Sequence, residues 1–219
     1  MTIIISVLNP KGGSGKTTIS TNIAFSIHKK GYSVLLVDSD PQGSARDWHA
    51  STENNPIPLI SLDRPNNMKN ISNLAREYDY VIIDGAAKLE DMIASTIKIS
   101  DFILIPVQPS PYDLWAVSDL VEFIKARQEV TDGKPLSAFV ISRAIQGTKL
   151  GSEITKALNE YDLKLCKTNL TQRQVYPQTA SEGLSIFDSF NTDAIAEINN
   201  LTNEIIETIQ TKKLEKVTP

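Results

Sequence analysis

A glycine-rich segment near the N-terminus carries the residues whose types and order most clearly suggest chemistry. It follows an apolar run and reads Asn9-Pro10-Lys11-Gly12-Gly13-Ser14-Gly15-Lys16-Thr17-Thr18. Glycines let backbone N–H groups turn inward around phosphate oxygens, and a helix beginning here would direct its N-terminal N–H groups at the same anion. Lys16 could then reach the β- and γ-phosphates of a nucleotide, and the Thr17 hydroxyl could ligate Mg²⁺. We therefore predict a nucleotide phosphate site; the alternative is a strand-to-helix turn without a ligand.

Three aspartates follow other apolar runs. Asp38 and Asp40 close the run Val34–Val37, and a spacing of two turns both side chains to the same side of an extended chain. Asp84 closes the run Val81–Ile83, where it would hold Mg²⁺ through a water, since this ion keeps several of its waters. The alternatives are two polar turns, with Asp40 as a helix cap and Asp84 in an Asp-Gly turn.

These residues need a scaffold that brings strand ends together. Apolar runs rich in β-branched residues occur at Ile3–Leu8, Val34–Val37, Val81–Ile83, Phe102–Val107 and Ala138–Ile141. Segments with apolar residues at helical spacing occur at Lys16–Lys29, Leu114–Glu129, Thr148–Asn159 and about Thr192–Lys212. Such an alternation predicts a doubly wound, mainly parallel α/β sheet with helices on both faces, in which ligands bind at the carboxyl ends of the strands. We expect one domain over residues 1–212 and a short tail over residues 213–219.

The segment Lys11–Thr18 resembles the deviant Walker A box of the ParA/MinD family of P-loop ATPases. The resemblance implies a single-domain P-loop NTPase that forms a homodimer around two ATP molecules, with Lys11 crossing to the partner's nucleotide. A cation delivered in this way would neutralise charge on the transferring phosphoryl group. Considered alone, Lys11 could equally be a solvated surface lysine. The resemblance also implies that Asp40 positions or activates the attacking water, that Asp38 supports the Mg²⁺ and lysine network, and that Asp84 is the Walker B aspartate.

Two later segments extend the resemblance. Pro106–Asp113 resembles the family's proline-rich loop, in which we predict Pro111 as a nucleotide contact and Asp113 as the N-cap of the following helix. At the end of the fifth run, relatives often place Asn where this chain has Ser142. Base contacts are therefore expected from backbone groups or from Arg143.

The resemblance spans about residues 2–210 and is closest to the short ParF-like plasmid partition proteins. After Asp84 the chain continues Gly85-Ala86-Ala87-Lys88, without the proline that most relatives have there. ParF-like proteins also lack an N-terminal helix-turn-helix extension, so operator-specific DNA binding is not expected. The resemblance implies slow ATP hydrolysis, stimulated by a centromere-binding adaptor of the ParB type.

Composition narrows the class of protein and its cellular location. The chain has 219 residues, a net charge of −4 and one cysteine, Cys166, which excludes an internal disulfide. No signal peptide or membrane span is recognisable. We expect a cytoplasmic, nucleoid-associated protein.

Non-specific DNA binding needs several cations on one surface. The candidates are Lys149, Lys156, Lys164, Lys167 and Arg173, although scattered solvated side chains would look the same in a sequence. A MinD-like membrane protein would end in a basic amphipathic helix, whereas the last helix here carries several glutamates that anionic lipid would repel. We therefore expect no stable membrane association. An ATPase that positions another cargo on the nucleoid stays open as an alternative.

Overall fold

The computed structural model describes residues 2–68, 70–87, 90–145 and 149–215. Its strands are β1 (Ile3–Val7), β2 (Val34–Asp38), β3 (Leu59–Ser61), β4 (Tyr80–Asp84), β5 (Phe102–Val107), β6 (Leu136–Ile141) and β7 (Lys164–Leu165). Its α-helices are α1 (Lys16–Lys29), α2 (Ser44–Ala50), α3 (Pro65–Met68), α4 (Ile71–Leu74), α5 (Glu90–Ile99), α6 (Pro111–Ala116), α7 (Ser118–Glu129), α8 (Lys149–Asn159), α9 (Val175–Ser181) and α10 (Thr192–Glu215). Short 3-10 helices occupy Ala75–Glu77 and Ile186–Asp188. Lys88, Thr148 and residues 216–219 of the predicted tail lie outside the described residues.

All strands of the sheet run parallel, in the order β3-β2-β4-β1-β5-β6-β7. The central strand β1 pairs with β4 on one side and β5 on the other. The connection after β1 leads to β2 on one side of the sheet, whereas the connection after β4 crosses to β5 on the other side of β1, and a crevice forms at the carboxyl ends of these strands. The predicted doubly wound α/β class is confirmed.

Both faces of the sheet are covered because alternate residues of each strand bury on opposite sides. In β1, Ile5 and Val7 enter one apolar core together with α1 and α10. Ile4 and Leu8 point the other way, into cores shared with α5, α7 and α8 or with the short helices before β4. This is why the strand runs are apolar throughout instead of alternating.

The helix predicted over Leu114–Glu129 is in fact two helices, α6 and α7, which meet at the buried Val117. The prediction of Asp113 as an N-cap was wrong. Helix α6 begins earlier, at Pro111, with Ser110 extended before it. Proline is well suited to the first helical position because it has no N–H to satisfy, so Asp113 falls inside the first turn and is fully buried.

Helix α10 begins at the predicted Thr192 and continues to Glu215, beyond the predicted end at Lys212. Its apolar stripe, from Ala194 to Ile209, is buried in the core that contains α1. The apolar surface of this helix is therefore used inside the fold. No helix among the described residues is long and apolar enough to cross a membrane.

Helix α2, which follows the loop after β2, is anchored by Trp48. The buried indole packs edge-on against Phe25 of α1, and its Nε1 donates a hydrogen bond of 3.1 Å to the carbonyl of Leu184. Gly183 precedes that carbonyl with a φ of +68°, and a Cβ there would lie 2.9 Å from the Trp48 carbonyl oxygen. Only glycine allows the chain after α9 to pass this close to α2.

Candidate phosphate-binding site

The loop after β1 is fixed at its start by the buried side chain of Asn9. Its Nδ2 donates to the Pro106 carbonyl at 2.6 Å, and its Oδ1 accepts the Lys11 N–H at 2.7 Å. One amide therefore ties the loop to the end of β5. We did not single out Asn9 from the sequence; an amide directly after a wholly apolar strand was the available signal.

Two side chains hold carbonyl groups of the loop from outside. Gln108 Nε2 donates to the Gly13 carbonyl at 2.6 Å, and Ser142 Oγ donates to the Ser14 carbonyl at 2.8 Å. Because a trans peptide places its N–H opposite its C=O, the N–H groups that follow these carbonyls point the other way, toward the interior of the loop. Gly13 and Gly15 have φ angles of +75° and +97°, which side chains rarely tolerate. The loop thus has the backbone conformation of an anion cradle.

Lys16 begins α1 and is 7% exposed. Its Nζ donates to the Lys11 carbonyl at 3.2 Å, so the side chain curls back over the loop. Burial lowers the pKa of Lys16, while the charges of Asp84 and Asp40 oppose that shift. A buried ammonium group with few partners of its own is well placed to bind an anion in the loop.

Beneath the loop, Thr17 and Ser20 of α1 contact the carboxylate of Asp84 at the end of β4. Thr17 Oγ1 donates to Asp84 Oδ2 at 2.7 Å, and Ser20 Oγ donates to Oδ1 at 3.1 Å. Burial raises the pKa of Asp84 from 3.8 to about 7, although these hydrogen bonds favour the ionised form. A carboxylate destabilised by burial in this way would be stabilised by a nearby cation, and a Thr hydroxyl beside an Asp carboxylate is a donor set that suits Mg²⁺.

The other two predicted aspartates lie at the end of β2, beside β4. Asp38 is directly in register with Asp84 and is fully buried, which raises its pKa. Its two oxygens accept backbone N–H groups from Asp40 at 3.1 Å and from Arg46 at 3.0 Å. Asp40 is half-buried, and its Oδ1 accepts the Gln42 N–H at 3.0 Å. Asp38 therefore holds the loop on which Asp40 is carried.

These elements enclose a cleft of about 750 Å³. It brings together most of the predicted site residues, namely Gly12, Gly13, Gly15, Lys16, Thr17, Thr18, Asp40 and Arg143. A second cleft of about 540 Å³ adjoins it and shares Gly15, Thr18 and Arg143. Ser14 is buried, and Pro111 is the first residue of α6. Neither is among the described residues that line these two clefts.

Lys11 turns away from the cleft in this conformation. Its Nζ forms an ion pair with Asp113 Oδ2 of α6, and Asp113 is fully buried whereas the Lys11 side chain is 36% exposed. The second oxygen, Asp113 Oδ1, is buried without a hydrogen-bond partner among the described residues. On either side of Asp113, Tyr112 and Trp115 are exposed and pack against each other edge-on.

The DNA candidates lie in α8, in β7 and in the segment after β7, where Arg173 lines the second cleft. Lys156, Lys164 and Lys167 are exposed; Lys164 Nζ donates to Thr208 Oγ1 at 2.6 Å. Arg173 is bonded at 2.7 Å to Glu197, which leaves its charge partly neutralised. The side chain of Lys149 lies outside the described residues.

Comparison with known proteins agrees with this geometry. Residues 5–213 match the model of the CobQ/CobB/MinD/ParA nucleotide binding domain. The chain is 33% identical over 208 residues to the maintenance of carboxysome distribution protein A of Halothiobacillus neapolitanus, covering 92% of this chain and 95% of that protein. It is 26% identical over 178 residues to a protein ParA of Rhizobium radiobacter, covering 79% and 80% of the two chains.

Solved structures show the same fold. A putative plasmid partition protein of Borrelia burgdorferi bound to AMPPNP superimposes with a TM-score of 0.75 at 21% identity, covering 97% of this chain and 100% of that one. The septum site-determining protein MinD of Pyrococcus horikoshii, complexed with Mg-ADP, superimposes with a TM-score of 0.72 at 17% identity, covering 94% and 96%. On the extent of the domain match and the identity to its relatives, this chain belongs to the CobQ/CobB/MinD/ParA nucleotide-binding domain family.

Proposed function

We propose that this chain is an ATP hydrolase that uses ATP-dependent dimerisation to position DNA or another cargo. The observation that carries the proposal is that Lys16 and Thr17 line the cleft at the glycine loop, while the Thr17 hydroxyl is bonded to the buried Asp84 carboxylate beneath it. A cationic side chain, a hydroxyl and a carboxylate in that order suit a nucleoside triphosphate and its metal ion. The AMPPNP and Mg-ADP complexes of proteins with this fold support the same ligands.

In the proposed mechanism, the loop amides and Lys16 bind the β- and γ-phosphates. Thr17 and, through water, Asp84 would hold Mg²⁺, with Asp38 supporting them from the neighbouring strand. The ion would supply positive charge to the phosphate oxygens. The second cleft, which shares Gly15 and Arg143 with the first, has room for the base and ribose.

Asp40 is the residue we propose to orient the attacking water. It is half-buried, lines the cleft together with residues of the loop, and accepts the Gln42 N–H with Oδ1, so that Oδ2 is the oxygen we propose for water. Phosphoryl transfer depends mainly on placement of the nucleophile, so a carboxylate on a well-held loop is sufficient for this role.

Lys11 would complete the site only in a dimer. Within one protomer its ammonium group contacts Asp113 instead of the cleft. Because the side chain is partly exposed, it can leave Asp113 and reach a nucleotide in a second protomer. We propose that this exchange makes dimerisation depend on ATP.

The cargo divides the proposal into two candidates. The first is DNA partition, with non-specific DNA as the track and a ParB-type centromere-binding adaptor as the stimulating partner. The Halothiobacillus protein, the nearer of the two relatives described above, is named for carboxysome distribution. This similarity favours a second candidate, in which the same ATPase cycle distributes a protein assembly. A MinD-like membrane role is disfavoured because the apolar stripe of α10 is buried against the core.

The ATPase proposal is tested by comparing Lys16→Ala and Lys11→Ala, with the exposed Lys30→Ala as a matched control. Calorimetry should show loss of ATP binding only for Lys16→Ala. Light scattering with Mg-ATP should show a dimer for the wild type and Lys30→Ala but only a monomer for Lys11→Ala. Unchanged ATP affinity in Lys16→Ala would overturn the phosphate assignment, and a normal dimer in Lys11→Ala would overturn the role of Lys11 in trans.

The cargo is tested by retention on random-sequence duplex DNA and on anionic phospholipid vesicles, each with ATP and with ADP. Either nucleoid-based candidate requires ATP-dependent retention on DNA, whereas retention on vesicles would support the MinD-like alternative. Stimulation of turnover by a DNA-bound adaptor would then separate DNA partition from protein cargo.

A further inference from the structure

The loop that carries Asp40 is spanned by one side chain, Arg46 of α2. Its Nη2 donates to the Pro41 carbonyl at 3.1 Å and, at a longer 3.4 Å, to the Asp40 carbonyl. One guanidinium nitrogen therefore donates to two successive carbonyls at the turn from which the Asp40 side chain projects. A planar guanidinium group can make such paired contacts because its donors have fixed directions.

The rest of the guanidinium group joins the loop to the sheet. Its Nε lies 3.4 Å from Asp38 Oδ2, and its Nη1 donates to Ser61 Oγ at 3.0 Å. The Arg46 backbone N–H also donates to Asp38 Oδ2 at 3.0 Å. Arg46 thus links the ends of β2 and β3 to the turn between β2 and α2, and the side chain is only 35% exposed.

The lack of a side chain at Gly43 makes room for the same guanidinium group. It has a φ of +73°, and a Cβ built on it would lie 2.6 Å from Arg46 Nη2 and 2.8 Å from Nε. The guanidinium group lies so close over this glycine that a side chain would displace it. The end of the loop is therefore adapted to the position that Arg46 adopts.

We propose that Arg46 is a positioning residue for ATP hydrolysis: it holds the Asp40 turn against β2 and β3, and so fixes where the Asp40 carboxylate can place water. The inference rests on the proposed function, because it assumes that Asp40 orients the nucleophile. Arg46 itself is not among the described residues that line the phosphate cleft, so it acts on the reaction through the loop.

The test measures kcat, KM and ATP affinity for Arg46→Ala and Arg46→Lys. Arg46→Ala should lower kcat about 10- to 100-fold, as is typical when a residue that orients a catalytic group is removed, while ATP affinity changes less than about threefold. Arg46→Lys should recover only part of kcat, since one ammonium nitrogen cannot replace Nη2 at the two carbonyls and also keep the contacts of Nε and Nη1 with Asp38 and Ser61.

Hydrogen exchange provides a readout that does not depend on turnover. The N–H groups of Gln42 and Gly43 bond to Asp40 Oδ1 at 3.0 Å and to the Asp40 carbonyl at 2.9 Å. If Arg46 holds this turn, Arg46→Ala should raise the exchange of these two amides about tenfold relative to the wild type, with the β1 amides unchanged.

Gly43→Ala displaces the guanidinium group without removing it, and it keeps the inference testable if Arg46→Ala folds poorly. Its matched control is Gly133→Ala, because Gly133 has a similar φ of +76° but nothing within 4 Å of an added Cβ. Gly43→Ala should lower kcat like Arg46→Ala, and Gly133→Ala should not.

The outcomes separate this inference from the proposed function. A wild-type protein that neither binds nor hydrolyses ATP overturns both. If the wild type is active, normal kcat in Arg46→Ala overturns the role of Arg46 and leaves the proposed function in place. The same conclusion follows if kcat, ATP affinity and melting temperature fall together in Arg46→Ala and in Gly43→Ala.

Discussion

The ion pair between Lys11 and Asp113 leads to a prediction about stability that is separate from catalysis. Removing Lys11 should destabilise the nucleotide-free protein, because it leaves the fully buried Asp113 carboxylate without its cation. Removing one partner of a fully buried pair costs about 3–5 kcal/mol. The Lys11 side chain is 36% exposed, so solvent screens part of this interaction. We therefore expect Lys11→Ala to lower the free energy of unfolding by about 1.5–3 kcal/mol.

A double-mutant cycle isolates the pair. Asp113→Asn keeps the shape of the side chain and removes its charge, so the double variant no longer buries an unpaired carboxylate. The two substitutions should be coupled by about 1–2 kcal/mol. The measurement is urea unfolding without nucleotide, followed by circular dichroism, with Lys30→Ala as the control for removal of a solvated lysine. Lys30→Ala should leave stability within about 0.5 kcal/mol of the wild type.

The same cycle tests the proposed movement of Lys11. If Lys11 must leave Asp113 to reach the partner's nucleotide, Asp113→Asn should strengthen ATP-dependent dimerisation by about the coupling energy per protomer. A coupling energy below about 0.5 kcal/mol, within the error of additivity, would refute the structural reasoning. Weaker dimerisation of Asp113→Asn would instead show that Asp113 also supports the dimer.

Three further predictions concern the carboxylates and the DNA candidates. Burial raises the pKa of Asp84 from 3.8 to about 7, so between these two pH values the folded state holds a proton that the unfolded chain has released. In EDTA, the resulting stabilisation should be complete below about pH 4 and should be lost as the pH rises to about 7. Between about pH 6 and about pH 8.5 this fall should be about 1.4 kcal/mol for the wild type and absent in Asp84→Asn, as measured by urea unfolding; equal pH dependence in the two proteins would contradict it. Asp40→Ala should retain ATP binding and accumulate a long-lived ATP dimer in gel filtration, and normal turnover would exclude Asp40 from water placement. Replacing the exposed lysines should reduce the salt dependence of DNA binding by about one unit of slope for each DNA phosphate that is no longer neutralised, and unchanged binding would exclude this surface; the replaced residues are Lys156, Lys164 and Lys167.

The central part of the fold was predictable because it is buried on both faces. Each of the five predicted strands is confirmed to within two residues at either end, since β-branched residues fill every position of such strands. The edge strands β3 and β7 were missed. They contain three and two residues, part of their side chains is exposed, and neither has a pattern that differs from a loop.

Helix boundaries were less predictable where tertiary contacts decide them. Helix α1 has the predicted bounds, because its periodic apolar stripe faces the core from end to end. The break between α6 and α7 has no Gly or Pro to mark it; it falls at Val117, whose side chain is buried in the core that contains α5, α7 and α8. Helix α5 was missed, although Met92, Ile93 and Ile97 are buried at helical spacing.

The loop and its neighbours were predictable as a set of residue types in order, but their partners were not. Lys11 and Asp113 are 102 residues apart in the chain, so their ion pair exists only through the pairing of β1 with β5. The contacts of Arg46 were equally hidden, because two of its acceptors are backbone carbonyls, which every residue has. Sequence patterns identify functional groups, whereas these contacts depend on where the folded backbone passes.

The two tryptophans of this chain lie near the two segments that we propose to respond to the nucleotide, the Asp40 turn and the Lys11–Asp113 pair. Trp48 is buried on the helix that follows the Asp40 turn, and Trp115 is 68% exposed two residues after Asp113. Their emission should therefore differ in wavelength and in quenching by iodide, which reaches exposed indoles first. Without any added label, the protein carries separate optical signals for the movement of each side, and a stopped-flow experiment with Trp115→Phe would assign which side responds first to the nucleotide.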